Sequence, residues 1–260
     1  MVDPVKPRLG GFPERSVGQA VRNGSSTLAS SKTSLREYGL HSGDHMSREE
    51  FHRIYEAMPE DFKAELIGGI VYVASPLKIR HGNNHAPLST VFYAYEDSTK
   101  GVEMGDNATV ILGNDAEAQP DLYLRVLPEF GGQSETSAKD YIEGAPVLVA
   151  EIALSSHSID LHSKRLDYAR HGVLEYLVFD LQQKRLRWFD LKKNRELEID
   201  EDGICRVRTF PGLWIHEAAL LKRNHKRLMR TLKKGLASDE HSAFVTRLKN
   251  ATTKTRKRGK

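Results

Sequence analysis

One cysteine in 260 residues is the first thing the sequence has little of, and that scarcity removes several chemistries at once. Cys205 has no partner for an internal disulfide, and too few thiols exist for a zinc ribbon or finger. Lying in a strand-like run (203–209) with no catalytic signature around it, the thiol reads as packing, and a reducing compartment fits. Long apolar runs are missing as well. No stretch approaches the roughly 20 apolar residues that a membrane helix needs. The opening, MVDPVKPRLGG, lacks the apolar segment of a secretory signal. Both absences point to a cytoplasmic protein without membrane contact. No glycine-rich turn links a strand to a helix, which removes phosphate-loop and dinucleotide readings.

With 39% apolar residues, the chain can bury a full core in one domain and leave room for tails. Its net charge of +4 conceals an asymmetry. Residues 222–260 carry 14 Lys and Arg against two acids, a segment charge of +12, and the other 221 residues sum to −8. A basic tail attracts polyanions by releasing their counterions, so nucleic acid is the expected partner, although a basic stretch also simply solubilises.

Residues 1–44 are rich in Gly, Ser, Pro and Arg without a period and read as a disordered leader. The folded part is expected at 45–221, followed by a basic helical or disordered tail at 222–260. SREEFHRIYEAM opens it: Ser47 and Glu50 form a capping-box pattern, and Phe51, Ile54, Tyr55 and Met58 share a helical face. FKAELIGGIVYVASP reads as a hairpin around Gly68 and Gly69. In HGNNHAPLSTVFYAYED, Leu88, Val91, Phe92 and Tyr95 recur as a core-facing helix would, with Pro87 tolerated only in a first turn or at a kink. Strand-like runs follow at 108–112, 121–126 and 146–152, the last apolar without alternation, as in a strand covered on both faces. A helix is expected over 158–171 ending at Gly172, then three strands within 174–210 and a last helix over 215–236. The alternation indicates an α/β fold with a mixed sheet flanked by helices.

Three acids occupy positions that strand design avoids. Glu65 lies in the first hairpin strand, Asp121 follows Pro120 at a strand start, and Glu151 ends the most apolar strand. A buried carboxylate is costly unless paired, hydrogen-bonded or metal-bound. Converging at strand ends, such acids would make a hard, oxygen-rich site suited to Mg²⁺ or Mn²⁺. Position 153, where a Glu-x-Lys signature would carry lysine, is Ala153. Lys164, on the helix that follows, could reach back over the strand end. The alternative is an Asp160–Lys164 pair on a solvated helix face, worth a few tenths of a kcal/mol. His81 and His85 stand at the i, i+4 spacing that can bind zinc, but lack the companion glutamate and any obvious third ligand.

The ordered series ELIGGIVYVASP, His81, QPDLYL, VLVAEIALSS, DLHSKRLDYARHGVLEYLVFD and FPGLWI resembles the Uma-two family, restriction endonuclease-like proteins of the PD-(D/E)xK nuclease superfamily. The resemblance covers about residues 47–221. It implies an αβββαβ core and a lysine migrated from strand to helix. Position by position, it implies Asp121 and Glu151 as metal-binding acids, Lys164 as the migrated lysine, Glu65 as a supporting acid, and His81 as a histidine near the site. Tyr168 and Gly172 match structural positions. The chain departs from the family at ALSSHS after Glu151, where relatives have Ser-Pro-Ser, and at Gly68, where aspartate is frequent.

The implied function is metal-dependent endonucleolytic hydrolysis of nucleic acid, with DNA ahead of RNA and Mg²⁺ or Mn²⁺ as cofactor. Asp121, Glu151 and the Ile152 carbonyl would hold the ion, Lys164 would orient the attacking water, and Glu65 would take a second ion or a water. His81 would contact phosphate or carry a proton. Cleavage of both strands would favour a homodimer. The rival expectation is a catalytically inactive nuclease-fold module for nucleic-acid or protein binding, favoured by the acidic body and opposed by the presence of all four signature residues.

Overall fold

The structure, a computed structural model, describes residues 39–258, with side chains through 252. Ser47 caps the first helix as its sequence demands: its Oγ accepts the Glu50 N–H at 3.2 Å, and α1 (Arg48–Tyr55) buries Phe51 and Ile54. β1 (Ala64–Ile67) and β2 (Ile70–Val73) then pair antiparallel across Gly68 and Gly69, whose φ of 57° and 78° give the two-residue turn that matches strand twist. α2 (Ile79–Asp97) buries Leu88, Val91, Phe92 and Tyr95 along one face. Pro87 lies inside this helix rather than in its first turn, so the bond from residue 87 to the Asn83 carbonyl is forgone.

Two six-stranded sheets follow, where one was expected. Along the chain come β3 (Val102–Asp106), β4 (Val110–Gly113), β5 (Ala116–Ala118), β6 (Leu122–Val126), β7 (Glu135–Thr136), β8 (Ile142–Glu143) and β9 (Leu148–Ala153). A helical crossover leads to β10 (Glu175–Asp180), β11 (Arg185–Asp190) and β12 (Arg195–Leu197). The first sheet runs β2-β1-β5-β4-β8-β7 and the second β12-β11-β10-β9-β6-β3. The second is mixed, because β9 and β10 are parallel while β6, β11 and their outer neighbours are antiparallel. A parallel pair cannot be joined by a tight turn. The crossover comprises α3 (His157–Ile159), a π-helical turn at Asp160–Lys164, and α4 (Arg165–His171), which Gly172 ends at φ 96°.

β9 is buried at all six positions, and its alternation divides the core. Leu148, Ala150 and Ile152 pack with α2, whereas Val149 and Ala153 pack with Tyr168, Tyr176 and the first sheet. Glu151 has the second parity and therefore points toward the crossover helix. This strand parity is what aims the carboxylate.

Both expected boundaries of the folded region shift outward. The leader lies outside the described residues up to position 38, but 39–46 follow β2: Gly43 N–H donates to Val71 O at 2.8 Å, Met46 N–H to Gly69 O at 3.0 Å, and Leu40 is buried against Phe51. At the other end, β13 (Ile204–Arg206) pairs with β14 (Trp214–His216), so the helix expected over 215–236 begins as a strand. α5 (Glu217–Leu221) and α6 (His225–Leu236) are separated by Arg223 at φ 52°, and Asn224 caps α6. α7 (Asp239–Arg258) follows. Leu228, Leu232, Phe244 and Leu248 belong to the main core, so α6 and the first half of α7 form a wall of the fold rather than an appended tail.

Candidate active site

Strand register assembles the acids. β6 pairs antiparallel with β9 through Leu122 opposite Ala150, so one step outward sets Asp121 beside Glu151. The Asp121 N–H lies 3.3 Å from Glu151 Oε2, and the Ile152 N–H donates to Asp121 Oδ2 at 2.7 Å. Glu65 enters from the first sheet, where its Oε1 accepts the Gln119 N–H at 2.8 Å.

The lysine reaches this group. Lys164 Nζ stands 2.9 Å from Glu151 Oε1, 2.8 Å from Glu65 Oε2 and 3.9 Å from Asp160 Oδ1. Only 6% exposed, it is not on a solvated helix face, and that alternative fails. It closes the π-helical turn, a local widening that recurs at functional sites. Tyr168, one turn on, donates its hydroxyl to the same Glu151 oxygen at 2.9 Å. A buried ion pair needs such extra hydrogen bonds, because desolvation otherwise outweighs attraction.

His81 sits at the start of α2 with Nε2 3.1 Å from Asp121 Oδ2. His85 Nε2 reaches the Asp121 carbonyl at 3.1 Å, and the two rings lie near parallel at 6.1 Å. Their nitrogens are thus engaged on separate atoms of one residue and form no zinc pair. Among the described residues, no group of three or more His, Cys, Asp or Glu is assembled to hold a metal ion. Asp121 Oδ1 is available to a hard cation that keeps most of its waters, whereas Glu151 would share oxygens that already accept the Asp121 N–H, the Lys164 ammonium and the Tyr168 hydroxyl. Asp121 Oδ1 has no hydrogen-bond partner in the structure, and both residues line a cleft of about 610 Å³ with Glu65, His81 and Lys164, which leaves room for those waters. The set fits Mg²⁺ or Mn²⁺ in chemistry.

Charge is badly balanced in the cleft. Burial raises the Glu151 carboxyl well above its usual range, Lys164 opposes this, and Asp121, Asp160 and Glu65 add to it. Burial would strip Lys164 of its proton, but Glu151, Glu65 and Asp160 outweigh that and hold the ammonium charged. Asp121 is also pushed up by burial, yet His81, the Ile152 N–H and Lys164 together bring it below its ordinary value. Its hydrogen bond to Asp121 raises the His81 imidazole, against burial.

Asp160 was legible only as a helix-face partner of Lys164, and the structure makes it more. It is 1% exposed, accepts the Ser156 hydroxyl at 2.5 Å on Oδ2, and leaves Oδ1 buried without a hydrogen-bond partner. Burial pushes its carboxyl up to about 6. The unfolded chain loses this proton near 3.8 while the folded chain keeps it to about 6, so stability falls as pH rises across that window. At 1.36 kcal/mol per pH unit, the loss is on the order of 3 kcal/mol. Urea midpoints from pH 4 to 7 should therefore decline less steeply for Asp160→Asn than for the wild type. Identical slopes would remove Asp160 from this balance. Gln119 is a contributor that sequence patterns did not single out, because a backbone donor carries no signature, while His85 was weighed only as a zinc ligand and Tyr168 only as a structural position.

These acids and a lysine are thus gathered over the end of a mixed sheet. A family described as "Putative restriction endonuclease" matches residues 48–220. The chain belongs to this family, Uma2. Restriction endonuclease-like families generally use divalent metals. Among solved structures, "a putative nuclease belonging to DUF820" from Anabaena variabilis is similar at 14% identity and a TM-score of 0.49, over 69% of this chain and 97% of that one. No curated protein matches. No helix among the described residues is long and apolar enough to cross a membrane.

Proposed function

We propose that the protein is a metal-dependent endonuclease that hydrolyses phosphodiester bonds, with DNA as substrate and Mg²⁺ or Mn²⁺ as cofactor, acting in the cytoplasm. The observation that carries this reading is the meeting of Asp121, Glu151 and Lys164, from two strands and a crossover helix, in one open cleft. Asp121 and Glu151 would hold the ion. When bound, a divalent cation supplies a Lewis acid that acidifies water and stabilises charge on the phosphate.

The rest is done by the chain. Lys164, itself buried in the cleft wall, directs its ammonium at the attacking water and at negative charge growing on the phosphate. Glu65 holds Lys164 in place from the far side, and its other oxygen is fixed by the Gln119 N–H. His81 orients Asp121 through Oδ2 and leaves Oδ1 facing the cleft. That geometry favours a positioning role for His81 over phosphate contact. A homodimer would let two such sites cut two strands.

Asp121→Asn tests the reading, because the amide can still accept the Ile152 N–H but carries no charge. With supercoiled plasmid in Mg²⁺ or Mn²⁺, wild-type protein should nick DNA, chelation should stop it, and the variant should lose about 10²-fold or more of the rate. Equal rates for wild type and variant would refute the assignment.

A further inference from the structure

Five large apolar side chains stand exposed among the described residues, and two of them, Leu77 at the cleft and Ile79, lie two positions apart. Leu77 is 63% exposed and Ile79 is 83% exposed. Every residue from Ala74 to Arg80 is exposed, although the segment is held at both ends. Ala74 N–H donates to Lys63 O at 2.8 Å, and Arg80 Nη2 donates to Leu181 O at 2.5 Å. His81, which touches Asp121, comes next. An anchored strap therefore carries two exposed aliphatic side chains, Leu77 lining the candidate active site and Ile79 two residues before His81.

Nothing among the described residues covers them. The charge of the strap itself indicates what does: Lys78 stands between the two apolar residues and Arg80 follows them, and Lys63 lines the cleft beside them, although Asp61, Glu65, Asp121 and Glu151 make the cleft floor acidic. A second copy docking through this strap would bury the same Lys78- and Arg80-bearing segment from both copies in one interface, because a C2 contact uses the same patch on each. A polyanion that also offers apolar faces meets no such conflict. Proteins that deform nucleic acid insert Leu, Ile or Pro between base steps at a cost of a few kcal/mol per step, a cost already met where bases are unstacked.

We propose that residues 75–80 form a wedge that selects nucleic acid with unstacked bases beside the scissile phosphate, such as a fork, flap or single-stranded gap, over continuous duplex. This rests on the nuclease reading of the cleft and names its substrate class. Leu77 and His81 are four positions apart, a reach of at most about 14 Å. At 3.4 Å per nucleotide along a strand, the wedge acts within about four nucleotides of the site.

The test compares full-length wild type with Leu77→Ala/Ile79→Ala, a double variant that removes only exposed side chains and should melt as the wild type does. Binding to a blunt duplex and to a splayed duplex of the same sequence is measured by fluorescence anisotropy in Ca²⁺. 2-Aminopurine at the fork reports unstacking. The wild type should bind the splayed duplex about tenfold more tightly and brighten the probe, whereas the variant loses both effects and keeps its blunt-duplex affinity within about twofold. The same preference in both proteins, or no nucleic-acid binding by the wild type, overturns the proposal. So does a variant that only converts dimer to monomer, which would assign the strap to a second copy. Parallel digestion in Mg²⁺ separates the two claims: a strap-dependent preference without cleavage leaves the wedge standing and removes the nuclease reading, and metal-dependent cleavage without preference does the reverse.

Discussion

Lys164→Ala is expected to lower cleavage by about 10²–10³-fold, the effect of removing one preorganised charge-stabilising donor. It should also destabilise the metal-free protein. The ammonium lies within 3 Å of both Glu151 and Glu65 and 3.9 Å from Asp160, so its loss leaves three acids facing one another with little solvent between them. Breaking a buried pair from one side typically costs about 3–5 kcal/mol, because the remaining charge has no compensation. Partial protonation of Glu151 and Asp160, whose carboxyls are already raised, would soften that cost. Arginine should not rescue activity, since a planar fork cannot replace a compact ammonium among three carboxylates. Thermal melting with and without Mn²⁺ separates the two effects: an ion held by Asp121 and Glu151, as proposed, would offset the uncompensated acids and should raise Tm more in the variant than in the wild type. A folded Lys164→Ala protein with full cleavage would show that the lysine serves stability alone.

Removing α7 is expected to unfold the protein rather than merely weaken its hold on nucleic acid. His241, Phe244 and Leu248 line one face of α7 at helical spacing and are all buried. Phe244 meets Phe210 edge to face at 6.1 Å, His241 Nε2 lies 3.0 Å from Thr99 Oγ1, and Glu240 accepts the Trp214 indole N–H at 2.8 Å. Truncating a buried Phe costs about 3–5 kcal/mol and a buried Leu about 2–5 kcal/mol. Against a total stability of roughly 5–15 kcal/mol, losing both is close to decisive. Phe244→Ala alone should lower the urea midpoint by an amount equivalent to about 3–5 kcal/mol. A protein ending at residue 238 with an unchanged midpoint would refute the packing described. Any role of the basic stretch in binding nucleic acid is accordingly tested by charge substitution at exposed positions such as Lys233 and Lys234.

What could be read from the sequence follows the strength of its periodic signals. VLVAEIA announced a strand buried on both faces, and strand parity then aims Glu151 at the crossover helix. Ser47 and the Leu88-Val91-Phe92-Tyr95 stripe located two helices, because a cap and a 3.6-residue period are local properties. β3, β5, β7, β8, β12 and β14 were missed for the converse reason: VEMGD, AEA, ET, IE and REL are short or polar, and only neighbouring strands make them strands. Glu117 illustrates this, a buried glutamate in the middle of β5 that His52 accommodates at 3.0 Å. α7 was read as tail because three core-facing residues are sparse among its basic ones. Lys164 was visible as a residue, but its reach depends on the π-helical turn, which no propensity encodes. The pairing of Asp121 with Glu151 required register, and register is fixed by the sheet as a whole.

Parallel digestion of supercoiled plasmid by wild type, Asp121→Asn and Lys164→Ala, each shown to be folded, in Mg²⁺ and in Mn²⁺, tests the central claim most directly. The expected result is metal-dependent nicking by the wild type and none above background by either variant. Equal cleavage by all three proteins, or none by any, would contradict the assignment of this cleft as a phosphodiesterase centre.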